Sequence, residues 1–352
     1  MSVVELTLAD EARWEAFLSM REDACVFQHP AWMRVLRGAC GYSPLVLGHL
    51  NADGELDGVL PLVRKNGWAT GRRLVSLPHT PLAGPAAASD DVAKTLLAAA
   101  LGHARASKAR LEVKVRASAS PREAPGLVSS PRSMSYVLEL PADAGLLRFG
   151  SSRHHRRVKW AVGKAANAGV SLRDATSHDD LRRWHALYLE TMRAHAVPPR
   201  PLGFFAEMWR EMKPRGLMRL LLAERHGRLV AGSILLSYAS TVFYAFNARG
   251  AEAFSLGANY LIQWHAIHDA ARAGFRRYDL GEVEADQGGL AEFKRKWGAR
   301  PEQYSRWQWP PQHERRSRGS GYERIARALR PAWQRVPLVA TARVGDLVYR
   351  RL

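Results

Sequence analysis

The stretch Arg276-Arg277-Tyr278-Asp279-Leu280-Gly281, followed after a polar segment by Gly288-Gly289-Leu290-Ala291-Glu292-Phe293-Lys294-Arg295-Lys296-Trp297-Gly298, decides how this chain is read. The first run predicts a short strand that ends at a glycine. The second predicts a helix carrying Phe293 and Lys294 on its first turns. Together they present a positive charge at the C-terminal edge of a sheet, a place where a reacting carbonyl can be held.

Working outward, the order of elements repeats. In the first half, residues 13–20 and 31–37 read as helices. Residues 45–50 and 56–63 read as strands joined by Asn51-Ala52-Asp53-Gly54, residue types that tolerate positive φ in a hairpin turn. Residues 73–77 form a third strand, and Ser89-Asp90-Asp91 caps a helix through Ala106. A strand at 111–115, a Ser- and Pro-rich loop at 117–135 and a strand at 136–140 complete the half. In the second half, helices at 179–195 and 202–212 precede strands at 218–223, 228–238 and 241–247. A long helix follows, opened by Leu256-Gly257-Ala258-Asn259, then the strand at 277–280, the Phe293-Lys294 helix and a final strand at 303–309. A helix pair, a three-strand meander, a helix and a strand therefore occur twice. The division expected is a first half at 1–145, a basic linker helix at 146–170, a catalytic half at 171–310 and a basic amphipathic tail at 311–352.

Composition narrows the partners. The 352 residues suit two domains, and 47% hydrophobic with 24% charged residues is ordinary for a globular protein. Cys25 and Cys40 lack both number and spacing for a disulfide framework or a metal site, which points to a reducing cytoplasm. The start of the chain has no basic segment of an export signal, and no apolar run is long enough for a bilayer span. The 52 Lys and Arg against 33 Asp and Glu leave a net charge of +19, which favours anionic partners such as nucleotides, tRNA or acidic lipid. Leu146 to Leu172 holds no acidic residue, whereas Arg148, Arg153, Arg156, Arg157, Lys159 and Lys164 are all basic. In the tail, Tyr322, Ile325, Ala326 and Leu329 share one helical face. Beyond Pro331, apolar residues such as Trp333, Val339 and Leu347 alternate with arginines. Such a segment either packs on the protein or lies on an anionic membrane face.

The element order is that of the acetyltransferase (GNAT) fold used in tandem, an α/β class with mixed central sheets flanked by helices. With Phe293-Lys294 near the end, the chain resembles the FemAB-like acyltransferases of the GNAT superfamily. Their BioF2-like members and the relatives associated with exopolysaccharide and exosortase gene clusters are included in that resemblance. Further resemblances lie at His29-Pro30-Ala31-Trp32, Gly58-Val59-Leu60-Pro61-Leu62, Leu74-Val75-Ser76-Leu77-Pro78, Ala83-Gly84-Pro85, Lys164 through Val170 and Trp333 through Leu338. The resemblance implies acyl transfer to an amine. Such a reaction needs charge stabilisation at the carbonyl and a path for the amine proton.

By that resemblance Lys294 supports the tetrahedral intermediate, with Phe293 beside it at the donor. Glu282, Glu284 and Asp286 follow the strand end, where the site of an α/β sheet lies, and Glu282 is nearest. Ser255, Gly257, Ala258 and Asn259 open a helix whose backbone N–H groups suit a phosphate. In acetyltransferases that position cradles the pyrophosphate of coenzyme A. Tyr244 and Asn247 fall where a transferred acyl group and its acceptor would rest. Arg200, on the rigid Pro198-Pro199-Arg200-Pro201 loop, suits an acceptor phosphate. His265 and His268 have no third ligand, so no metal is expected.

The expectation is an N-acyltransferase using acetyl-CoA or another acyl-CoA. Its acceptor is an amino sugar or peptide on a nucleotide- or lipid-linked cell-envelope or exopolysaccharide precursor. The chain has no room for the helical arm of Fem-type enzymes, which favours the acyl-CoA donor. The alternatives are an aminoacyl-tRNA-dependent peptidyltransferase acting on a peptidoglycan precursor, and a non-catalytic precursor-binding protein. The tail could add peripheral contact with the inner membrane face.

Overall fold

Two βαβ crossovers of the same kind organise the chain. The computed structural model describes residues 2–67, 71–117, 121, 123–284, 287–311 and 333–351. In the first crossover, β4 (Gly71–Val75) leads through α3 (Asp90–Ala106) to β6 (Arg110–Arg116), which pairs with β4 in parallel. In the second, β11 (Thr241–Arg249) leads through α7 (Glu252–Leu256) and α8 (Ala258–Arg272) to β12 (Arg277–Val283). There Thr241, Val242 and Phe243 pair in parallel with Arg277, Tyr278 and Asp279. Parallel neighbours need such a helical connection, and the other pairings for which registers are resolved are antiparallel.

The remaining elements are β1 (Ser2–Leu6), α1 (Glu11–Ser19), α2 (Pro30–Cys40), β2 (Ser43–Leu50), β3 (Leu56–Gly67), β5 (Ala86–Ala87) and β7 (Val128–Glu139). After them come α4 (His155–Asn167), β8 (Val170–Asp174), α5 (His178–His195), α6 (Leu202–Met212), β9 (Met218–Arg225) and β10 (Arg228–Tyr238). The chain closes with α9 (Gly288–Lys296), β13 (Arg300–Trp309) and α10 (Leu338–Arg351). The fold is mixed α/β, with sheet flanked by helices, as expected.

The chain forms two compact units that interleave in sequence. The first holds Met1–Glu139, Ser237–Phe243 and Gly274–Pro311. Its strands follow the order β1-β2-β3-β4-β6-β13-β7-β12-β11, with β5 beside β3. Leu96, Leu97, Ala100 and Leu101 of α3 pack on Leu45, Leu47, Leu60, Leu62, Leu111 and Val113 of the sheet, a core sealed from water. Ser89 caps α3 by accepting from the Val92 N–H. The second unit holds Leu140–Leu236, Tyr244–Ala273 and Gln312–Leu352. Its strands run β11-β10-β9-β8.

The linear halves at 1–145 and 171–310 thus differ from the compact units. The reason is strand pairing: β13 lies antiparallel between β6 and β7, and β12 pairs with β7. The last elements of the expected catalytic half therefore complete the first unit.

Other differences have local causes. The region read as a loop at 117–135 supplies the first part of β7, masked in sequence by Ser129-Ser130-Pro131-Arg132-Ser133. The register of β7 against β13 shifts where Pro131 faces Ser305, because proline has no N–H to give to the ladder. β1, β8 and α7 were not anticipated, being short segments of mixed polarity. The linker region folds as α4 and β8 of the second unit. In the tail, Tyr322, Ile325, Ala326 and Leu329 lie outside the described residues. The segment from Trp333 does pack: Gln334 Nε2 donates to Ala194 O at 2.8 Å, and Gly345 of α10 lies so close to Pro199 O that a side chain there would collide.

Gly232 on β10 meets a similar constraint in the second unit. The buried Trp184 of α5 donates from Nε1 to Gly232 O at 3.0 Å, and its ring fills the space of a Cβ at that residue, 2.7 Å away. Gly232→Ala is expected to lower stability by about 1–3 kcal/mol through this overpacking, read as a lower midpoint in urea with an unchanged slope.

Candidate active site

Near the end of β12, where its pairing with β7 shifts register between Asp279 and Glu282, Gly281 takes φ +88°, a left-handed conformation open to glycine but costly for other residues. The turn lets the Asp279 side chain fold back along its own strand, so that its carboxylate accepts from the Gly281 N–H at 2.7 Å. Asp279 also accepts from Ser135 Oγ of β7 and from Tyr304 Oη of β13, each at 2.6 Å. At 1% exposure this carboxylate is solvated by protein donors instead of water. Burial, and then the negative charge of Asp279, push the Tyr304 phenol well above its ordinary value. Tyr304 is therefore a fixed donor across the neutral range.

The helix α9 returns over this strand end. Ala291, Lys294 and Trp297 are buried and recur every three residues, which turns Lys294 inward. Its Nζ donates to Gly281 O at 2.8 Å and Glu282 O at 3.0 Å, and the residue is 5% exposed. Burial lowers its pKa from 10.5 to about 8, while the charges of Asp279 and Glu282 act in the opposite direction. Arg295 beside it points elsewhere, donating to Tyr136 Oη at 3.0 Å, and is exposed. Phe293 is half-buried.

Glu282 is held from the other side. Its Oε1 accepts from Arg132 Nη1 at 2.5 Å and from Ser133 Oγ, both on β7, and Arg132 also donates to Pro81 O at 2.9 Å. The carboxylate is thereby held in place by donors from β7. Nearby in the fold of the same unit, Glu302 of β13 links Arg116 of β6 and Arg277 of β12. The result is a partly dry strand end where one ammonium, two carboxylates and a phenol are fixed by backbone and side-chain partners. Chemically it can stabilise negative charge that develops on an oxygen near Lys294.

Asp279, Tyr304, Ser135, Arg132 and Ser133 escaped the sequence reading. A signal did exist for Asp279: an acidic residue between Tyr278 and Leu280 in an apolar strand requires buried partners. Glu284 lies exposed beyond the strand, and Asp286 is outside the described residues.

The other singled-out residues belong to the second unit. Ser233 Oγ of β10 lies 3.3 Å from Tyr244 Oη and 3.2 Å from Asn247 Oδ1 of β11, so these three polar groups meet. Burial pushes the Tyr244 phenol up to about 12. Gly257, with φ +75°, separates α7 from α8, and a Cβ there would meet Ala161 O of α4 at 2.8 Å. This glycine permits close helix packing. Its own N–H is used by Phe254 O, and Ser255 Oγ donates to Glu252 O. Ala258 is buried, and Asn259 Oδ1 is a buried acceptor with no hydrogen-bond partner among the described residues. The Arg200 guanidinium sits 4.9, 5.3 and 5.1 Å from the ring centroids of Phe204, Phe246 and Tyr349, enclosed by aromatic faces. His265 is 3.1 Å from Asp269, and no group of side chains fit to hold a metal occurs among the described residues.

The chain and its fold are similar to those of several known proteins. Residues 152–295 match the acetyltransferase (GNAT) domain family. Over 130 residues the chain is 25% identical to the UDP-N-acetylmuramoylpentapeptide-lysine N(6)-alanyltransferase of Weissella viridescens, a match covering 37% of this chain and 38% of that enzyme. Among solved structures it is similar to FemX, with a TM-score of 0.70 at 15% identity, covering 93% of this chain and 100% of that one. It is also similar to L-PGS from Bacillus licheniformis, with a TM-score of 0.60 at 11% identity, covering 90% and 95%. The structural likenesses establish the fold.

Removing the charge of Asp279 is expected to push the Lys294 pKa further below about 8, because Asp279 is the stronger of the two carboxylates that favour its charged form. In Asp279→Asn, lysine-directed NMR titration should show this lower midpoint. Loss of a charged acceptor should also cost about 2–3 kcal/mol of stability.

Proposed function

Because the chain is a FemAB-like protein of the GNAT superfamily, we propose that it is a Fem-type transferase moving an aminoacyl group from aminoacyl-tRNA to a primary amine on a peptidoglycan or related cell-envelope precursor. The observation that carries the reading is the buried Lys294 ammonium at the end of β12. In the reaction the amine nitrogen attacks the ester carbonyl carbon, and the bond to the ribose oxygen breaks as the amide forms. The proton lost by the amine balances the one gained by the ribose oxygen. Lys294 supports the oxyanion of the tetrahedral intermediate, where a positioned charge is most effective. Asp279 and Glu282 keep Lys294 charged through the neutral range.

The donor assignment reverses the preference drawn from the missing helical arm. It is supported by the alanyl transfer named for the Weissella enzyme. The α4 face supports it as well: Arg153 just before the helix and Arg156, Arg157, Lys159 and Lys164 on it are exposed beside Trp160, itself 65% exposed. Cations interleaved with an aromatic ring suit a nucleic-acid backbone and a base. At the start of α8, Gly257 serves helix packing, which weakens the case for a coenzyme A cradle there. The acyl-CoA reading keeps the support of the GNAT domain match, and the same assay separates the two.

As acceptor we propose a lysine-type amine of a UDP- or lipid-linked muramoyl peptide. Peripheral attachment to an anionic membrane is supported by Val339 and Leu347, exposed on α10 beside exposed Arg343. No helix among the described residues is long and apolar enough to cross a membrane.

Radiolabelled alanyl-tRNA with UDP-N-acetylmuramoylpentapeptide should give labelled peptide, and labelled acetyl-CoA should not. Transfer from acetyl-CoA alone would overturn the donor assignment. Lys294→Met should reduce transfer by about 10²- to 10³-fold while the protein stays folded by circular dichroism. Since the ammonium is the active form, the rate should fall as pH rises through about 8. A rate that rises through that pH would mean that the neutral amine acts.

A further inference from the structure

The face of the first unit's sheet turned away from α3 carries a polar pair that the cluster around Lys294 does not use. On β13, Trp307 belongs to the core beneath α3 and pairs with Val113 of β6, so the neighbouring Arg306 projects from the opposite face. Its cross-strand partners there are Lys114 of β6 and Ser130 of β7. Tyr304, which holds Asp279, lies on the same face two residues earlier on β13.

Two donors in this row have nothing to receive them. Arg306 Nε and Ser130 Oγ are buried atoms without a hydrogen-bond partner among the described residues, although both residues as a whole are only half-buried. Such orphaned groups are uncommon in folded proteins and ask for a missing partner. Carboxylates along the same face are already matched: Glu112 to Arg73 at 3.2 Å, Glu302 to Arg116 at 3.2 Å and Glu282 to Arg132 at 2.5 Å. Lys114 Nζ turns to the carbonyls of Leu77 and Thr80, at 3.3 and 3.1 Å.

Both orphans are donors, and one is cationic, so the missing partner is an anionic acceptor. We propose that Arg306 and Ser130 bind the C-terminal carboxylate of the acceptor peptide, an inference that rests on the muramoyl-peptide acceptor proposed above. A peptide joined to a muramoyl group through its N-terminus ends in a free carboxylate. That group is planar and takes two hydrogen bonds from one guanidinium, with lone pairs left for the serine hydroxyl. Its single charge meets a single arginine, whereas a diphosphate brings at least two. The reach is suitable as well. Glu282 and Glu302 both stand opposite Ser135, so sheet spacing sets Arg306 about 17 Å from Glu282, Cα to Cα. The acceptor lysine and the arginine reach towards each other across this gap, and a peptide of a few residues spans the rest.

Calorimetric titration of the full chain, with no donor present, compares UDP-N-acetylmuramoylpentapeptide with the same compound amidated at its peptide C-terminus. The free acid should bind at least tenfold more tightly. Arg306→Gln should weaken the free acid at least tenfold and leave the amide unchanged, and Ser130→Ala should act in the same direction by less. Arg64→Gln, which removes an exposed arginine from the α3 face, should change neither. In the transfer assay Arg306→Gln should raise KM for the acceptor and keep kcat, since the site is remote from the reacting atoms. Equal binding of acid and amide by the unaltered protein, a result that does not depend on the variants folding, would mean that water alone meets the two donors. It would overturn the site and leave the acceptor reading standing. Equal weakening of both compounds by Arg306→Gln would overturn the site too. Binding of neither compound would overturn the acceptor reading and the site with it.

Discussion

An ammonium group taken out of water must find acceptors, and Lys294 finds two in the carbonyls of Gly281 and Glu282. Much of the local structure serves that one contact. The left-handed turn at Gly281 aims its carbonyl toward α9 and its N–H toward Asp279. The spacing of Ala291, Lys294 and Trp297 turns the lysine inward. Asp279 and Glu282 supply compensating charge, and each is itself fixed by donors from β7, with Tyr304 of β13 joining at Asp279. If the lysine were removed, two carbonyls and two carboxylates would lose their common cation.

This arrangement is not one that stability alone would select. The folded pKa of Lys294 is depressed, from 10.5 to about 8, so the unfolded chain binds more protons between those values. Stability contributed through this group therefore rises with pH across that window, and the charged lysine is a cost to the fold at neutral pH. A cost retained at the C-terminal end of a strand accords with a chemical role. Arg295, on the same helix, shows the ordinary alternative, an exposed cation resting on an aromatic ring.

Much of the architecture was legible in the sequence because local rules agree with the fold. Ser89-Asp90-Asp91 caps α3, Asn51 through Gly54 turns a hairpin, and the repeated helix–meander–helix–strand order gives both crossovers. Lys294 was legible through Phe293 and the preceding strand. The sequence concealed what depends on distant pairing. Arg132, Ser133 and Ser135 sit in a polar, proline-containing segment that becomes a strand only because β12 and β13 flank it. That same pairing moves the last strands into the first unit, which no linear division of the chain anticipates. Gly257 looked like a phosphate-loop glycine, yet its missing side chain is required by Ala161 of α4. Arg200 looked like a phosphate ligand, and three aromatic rings surround it.

The central claim is that a positive charge at the position of the Lys294 side chain drives transfer. It is tested most directly by restoring that charge chemically. In a Cys40→Ala background, Lys294→Cys should be inactive in the alanyl-tRNA assay, and alkylation with bromoethylamine, which rebuilds a lysine-like ammonium, should return a large part of the activity. Full activity of the cysteine variant before alkylation would contradict the account, as would a correctly folded, fully alkylated protein that stays inactive.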